Sequence, residues 1–150
     1  MKTQVAIDIQ ASPQKIWNSI TDINAWQGMI RGIEKIELLN QPGEGLVGLK
    51  WKETRTLFGK TATEIMWITA AEPNKSYTVN AESHGAHYIT KLNIKEMTGR
   101  CRLTQEFQSI PQTLGAKILA LLFGAMLRKS VIRAFESDLA DIKAAIESSP

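Results

Sequence analysis

From Gly32 to Ser109 apolar side chains recur at every second position, and from Pro111 to about Glu147 they recur at three- and four-residue spacing. A period of two belongs to strands and a period near 3.6 to a helix, so the chain changes element type late and once. Pro42-Gly43, Gly59, Pro73-Asn74, Gly85 and Gly99 divide the first stretch into strands near 33–40, 46–56, 60–70, 76–83, 87–97 and 100–109. The gaps are short enough for hairpins, which predicts an antiparallel meander. Ahead of it, Val5, Ile7 and Ile9 alternate with polar neighbours as a first strand. Ser12-Pro13 then starts a helix, because the serine hydroxyl can accept from an orphan amide and proline fits the first helical position. Ile16, Trp17 and Ile20 give that helix its apolar face, and Thr21 or Asp22 caps a second short one carrying Ile23, Trp26, Met29 and Ile30. The expected class is α+β: a curved seven-stranded antiparallel sheet wrapped around a long C-terminal helix, with two short helices after the first strand. Where sheet and helix splay apart, a cavity is expected. No repeat or linker divides the chain, so a single domain over 1–150 is predicted.

Composition narrows the functions. The net charge is +3, and the densest basic stretch, "KWKETR", is interleaved with other residue types, so nucleic acid is not an expected partner. Cys101 is the sole cysteine. It cannot form a disulfide within the chain, and no Cys/His spacing offers a metal site, so neither metal nor cofactor is expected. The most apolar run, "ILALLFGAML", is too short to span a bilayer, and "MKTQVAIDIQ" alternates like a strand instead of forming a leader's apolar core. A cytoplasmic location is the expectation.

The segment "ASPQKIWNSITDINAWQGMI" resembles the entry segment of the START/birch-pollen-allergen superfamily, the SRPBCC group of polyketide cyclases and lipid-transport proteins. The matching residues are Ala11-Ser12-Pro13, Trp17, Thr21-Asp22 and Trp26. The later element order agrees as well. This resemblance implies a helix-grip fold that holds a hydrophobic ligand. It leaves function open, since such folds host carriers, cyclases, hydrolases and protein-binding modules.

Strand parity selects candidate site residues. In "WKETRTLFGKTATEIMW", residues 51 to 67, a two-residue turn at Phe58-Gly59 pairs Leu57 with Lys60, Glu53 with Glu64 and Trp51 with Met66. One face then carries Leu49, Trp51, Glu53, Arg55, Ala62, Glu64, Met66 and Ile68, and is the candidate concave face. Opposed glutamates repel, so Arg55 is placed as the compensator between them. Two readings stay open: a solvated charge cluster at the sheet rim, or the polar end of an apolar cavity that orients a ligand's carbonyl, hydroxyl or carboxylate. Further along, an even turn at Gly85 puts Tyr77, Val79, Ala81, Tyr88, Thr90 and Leu92 on one face, with Glu82, His84, His87 and Lys91 outside it or in the turn. On the last strand Cys101, Leu103, Gln105 and Phe107 share a parity. Trp17 and Trp26 are read as core. The ligand-binding set is therefore Trp51, Glu53, Arg55, Glu64, Met66, Tyr88, Leu103, Gln105, Phe107 and Leu121, with Glu53 and Glu64 the candidate catalytic acids.

The long helix departs from a one-sided pattern. Leu114, Ile118, Leu121, Ala125, Ile132, Phe135, Leu139, Ile142 and Ile146 form the stripe expected to face the sheet. Leu119, Phe123 and Leu127 lie roughly 200° away at about 100° per residue, so the first half is apolar nearly all round. Packing of that second side under the short helices near Trp26 and Met29 is the favoured reading. The alternative is an exposed patch for a homodimer or for peripheral membrane contact. The expected function is binding or carriage of a hydrophobic small molecule: a lipid, an isoprenoid or a polyketide-like compound. A cyclase, dehydratase or hydrolase using the pocket glutamates is the alternative, and a protein-interaction module the third.

Overall fold

In a computed structural model of the protein, which describes residues 1–57 and 59–150 (for Leu57 the backbone only), strand β1 (Lys2–Ile9) leads into helix α1 (Pro13–Thr21), a 3-10 turn (Ile23–Ala25) and the single-turn α2 (Trp26–Met29). Six strands follow: β2 (Ile33–Asn40), β3 (Lys50–Leu57), β4 (Lys60–Glu72), β5 (Ser76–Ser83), β6 (Ala86–Met97) and β7 (Arg100–Pro111). Helix α3 (Leu114–Ser148) ends the chain. The predicted start of α1 is present, with Ser12 Oγ accepting from the Lys15 amide at 3.1 Å and Pro13 in the first helical position. Thr21 caps nothing: its hydroxyl donates back to the Trp17 carbonyl at 2.7 Å, and Asp22 makes no side-chain cap.

The strands form one antiparallel sheet in the order β1-β7-β6-β5-β4-β3-β2. β1 and β2 lie at opposite edges, so the segment holding the short helices must cross the open side of the sheet. Register shifts interrupt the ladders between Ile33 and Lys35, Leu38 and Asn40, and Ile68 and Ala70. Irregularities of this kind bend the strand that carries them, which suits a sheet that must curl around a helix. Against its concave side the C-terminal half of α3 buries Leu139, Ile142 and Ile146 in one cluster with Val5, Ile9, Ile16, Ile20 and Leu103. Tyr77 is buried in the same cluster, its hydroxyl donating to the Ile20 carbonyl at 2.6 Å and its ring meeting Trp17 edge-on.

The β5–β6 turn consists of His84 and Gly85, both at positive φ, as a tight two-residue hairpin requires. This turn also seats the start of α3. The Gly85 carbonyl accepts from the Gln112 and Thr113 amides, and Thr113 Oγ1 caps the helix by accepting from the Ala116 amide. A Cβ on Gly85 would collide with Thr113 Oγ1. Gly85→Ala is therefore expected to cost about 2 kcal/mol, from the left-handed backbone and from displacing the cap. Urea unfolding would measure it, and an unchanged midpoint would refute the coupling of turn and helix.

The stripe assigned to α3 is corrected in its first half. Leu114 and Leu121 are 75% and 86% exposed, and Ile118 is exposed too, so this part of the stripe does not face the sheet. Nor does the second side pack under the short helices as favoured: Leu119, Phe123 and Leu127 are all exposed, and Leu127 shares only a cavity wall with Trp26. The helix is about 52 Å long at 1.5 Å per residue. Its packing partners β1, β7, α1 and α2 meet the later turns. Periodicity marks which side chains are apolar but not what stands opposite them.

Candidate functional site

β3 and β4 pair as read from the sequence: Glu53 opposite Glu64, Trp51 opposite Met66 and Leu57 opposite Lys60. The turn proposed at Phe58-Gly59 includes Phe58, which lies outside the described residues. This register turns Trp51, Glu53 and Arg55 inward with Ala62, Glu64 and Met66, towards a cavity of about 340 Å³ between the sheet and α3. Val79, Ala81, Tyr88, Thr90 and Leu92 continue the wall, and Gln105 and Phe107 add β7. Phe107 stacks on Tyr88 at a centroid distance of 5.8 Å and meets Phe135 of α3 edge-on at 5.1 Å. The walls are mainly apolar, and their charges gather at one end.

That end is an ion-pair chain. Arg55 Nη1 donates to both carboxylate oxygens of Asp138 at 2.9 and 3.1 Å, and Arg55 Nε donates to Glu53 Oε2 at 3.4 Å. Trp51 Nε1 donates to the other Glu53 oxygen at 3.4 Å. Glu53 is 4% and Asp138 6% exposed, so both are buried. The guanidinium also lies close to Gly32, where a Cβ would come within 3.3 Å of Nη1. The expected compensation of Glu53 against Glu64 is thus corrected: Arg55 joins Glu53 to Asp138, while Glu64 accepts from Ser83 Oγ at 3.1 Å.

Burial outweighs the arginine in setting protonation here. It raises the Asp138 carboxyl to about 6, with Arg55 opposing and the charges of Glu53 and Asp141 adding to the rise. Burial likewise lifts Glu53 above the ordinary carboxylate range, against the pull of Arg55 and the Trp51 hydrogen bond, while Glu64 pushes it further up. For Arg55 the order reverses. Burial alone would lower it, but Asp138 and then Glu53 hold it above its usual value, so it stays charged. Burial and the nearby Glu64 raise the Tyr88 phenol, with Ser83 opposing. Two carboxyls near one guanidinium can share its compensation, and a proton taken up here relieves their repulsion.

Of the sequence-selected residues, the cavity gathers Trp51, Glu53, Arg55, Glu64, Met66, Tyr88, Gln105 and Phe107. Leu103 and Leu121 are corrections. Leu103 is fully enclosed in the core, and Leu121 lies on the exposed part of α3. Both were selected by parity or stripe, which give a face without its depth or its partner. His84 and His87 stay outside the cavity wall, with His87 held between Glu82 and Asn80. Trp26 lines the cavity as well as packing in the core, and its buried Nε1 has no acceptor among the described residues. Asp138 was missed. Its signal was present, since it sits three residues after Phe135 and four before Ile142 on the buried stripe, where an acid demands a partner. Among the described residues no group of His, Cys, Asp or Glu is placed to hold a metal ion.

The sequence profile of the family described as polyketide cyclase / dehydrase and lipid transport matches residues 1–147. Solved structures agree in fold. A Thermus thermophilus protein superposes with a TM-score of 0.83 at 12% identity, covering 99% of this chain and 98% of its own. A START superfamily protein from Mycobacterium smegmatis gives 0.82 at 13%, covering 98% and 97%. The Zhui aromatase/cyclase of Streptomyces sp. R1128 gives 0.75 at 15%, covering 98% and 93%. No curated protein matches by sequence.

Proposed function

Because the chain belongs to the polyketide cyclase / dehydrase and lipid transport family, we infer that its cavity binds and carries a hydrophobic small molecule whose polar end is a neutral hydrogen-bonding group. The observation that carries this is the partnering of Arg55. Three carboxylates (Glu53, Glu64 and Asp138) and one guanidinium line the cavity, and two of those acids already engage the guanidinium. A ligand carboxylate would meet excess negative charge with no free cation among the described residues of the wall, in a setting where charges are poorly screened. A hydroxyl or phenol can instead donate to Glu64, and Tyr88 and Gln105 offer neutral partners beside it. The volume fits a small-molecule site, and the aromatic and aliphatic walls supply the affinity. A cytoplasmic location belongs to the same reading; among the described residues no helix is long and apolar enough to cross a membrane.

Native mass spectrometry of protein purified from cells, followed by titration with a straight-chain alcohol and its matching carboxylic acid, tests the reading. The expected result is a retained apolar ligand and at least roughly tenfold tighter binding of the alcohol at pH 8, one charge-assisted contact being worth about 1.5–3 kcal/mol. Binding of neither probe, with no retained ligand, would refute carriage itself. Equal binding of both would refute only the neutral head group. The enzyme reading rests on a separate observation, a carboxyl near pKa 6 beside Glu53 at the cavity wall, suited to proton transfer near neutrality. A mass change in the bound ligand, abolished by Glu53→Gln with affinity retained, would transfer the function to that reading.

A further inference from the structure

Residues 114–130 of α3 make about 25 Å of helix with apolar side chains on nearly every side and little packed against them. Leu122 and Met126 are each 67% exposed, in line with Leu114 and Leu121, and Phe123 is half exposed. Solvated monomer surfaces seldom present so many large apolar side chains in one continuous segment. The charges carried by this part of the helix are of one sign. Between Phe107 and Phe135 the sequence contains Lys117, Arg128, Lys129 and Arg133 and no acidic residue.

We propose that this half of α3 is a docking surface for an anionic lipid bilayer, with its leucines, Phe123 and Met126 entering the acyl boundary and the four basic side chains meeting lipid phosphates. The sign of the charge selects this occupant. A second copy of the chain would bring the same basic residues against its own, with no acid on the segment to neutralise them. An anionic head-group layer neutralises all four while the bilayer takes the apolar area. Long basic side chains can lie along the helix and lift their charged ends to the head groups. Leu127 belongs both to this segment and to the cavity wall, where Ser130 and Val131 follow it. Docking therefore brings one wall of the cavity against the bilayer.

The test is flotation with phosphatidylcholine vesicles, with and without phosphatidylglycerol, at low and high salt. Wild-type protein should float with the phosphatidylglycerol vesicles at low salt and be released as salt rises. Leu121→Glu/Leu122→Glu should lose binding by at least tenfold with melting temperature unchanged, since both side chains are exposed. Arg128→Gln/Lys129→Gln, which leaves the apolar side chains in place, should lose about fivefold for each charge removed. No binding by the wild type at low salt overturns the proposal. Full binding by either variant overturns it too. A dimer in solution that Leu121→Glu/Leu122→Glu returns to monomer would assign the face to a second copy and overturn it likewise.

Discussion

Arg55→Met is expected to lower stability by about 3–5 kcal/mol at pH 8, the range for removing one partner of a buried ion pair. Methionine replaces most of the side-chain volume, so the loss reports charge more than a void. Asp138 and Glu53 would then be buried without the guanidinium that now donates to both. The melting temperature should fall by about 10 °C in a chain of this size. The deficit should shrink as pH is lowered towards 5, because both carboxyls already sit above their ordinary values and would rise further without Arg55. Urea unfolding of wild type and variant at both pH values measures this. An equal deficit at pH 5 and pH 8 would mean that the arginine acts by packing, and the ion-pair account would fail.

The second large effect is a pH dependence carried by Asp138. Its carboxyl stands at about 6 in the folded protein against about 3.9 in an unfolded chain. Between these values the folded state holds a proton that the unfolded state has released, so stability falls as pH rises through the window and levels off above it. The drop is about 3 kcal/mol, from roughly two pKa units at about 1.4 kcal/mol each. Asp138→Asn removes the titrating group while its amide oxygen can still accept from Arg55. The stability of wild type minus that of Asp138→Asn should therefore decline by about 2–3 kcal/mol between pH 4 and pH 7, then stay flat to pH 8. Glu53 is also raised, so it contributes with the same sign, but it is present in both proteins and the difference between them isolates Asp138. A difference that is flat from pH 4 to pH 7, or that grows with pH, would show that burial does not dominate at this carboxyl.

Much of this protein follows from local rules. Beyond the longer β2–β3 connection, successive strands are separated by only two or three residues, and side chains alternate along a strand. The sequence alone therefore predicts that Glu53 stands opposite Glu64, that Ala81 and Tyr88 share a face, and that Gln105 and Phe107 point the same way, all of which the registers reproduce. Ser12-Pro13 announces α1 because a cap is a contact between residues three apart. The partner of Arg55 is a different matter. It lies 83 residues away, on a helix whose rotation is decided by the packing of Leu139, Ile142 and Ile146. No local spacing encodes that distance, so parity sets Arg55 between Glu53 and Glu64 and leaves out Asp138. The same limit governs the first half of α3. Its sequence determines that it is helical and apolar, whereas the curvature of the sheet and the reach of the short helices decide that Leu121 faces outward and Leu139 inward. Periodicity is a property of one segment, and burial is a property of two surfaces, of which the second exists only once the whole chain has folded.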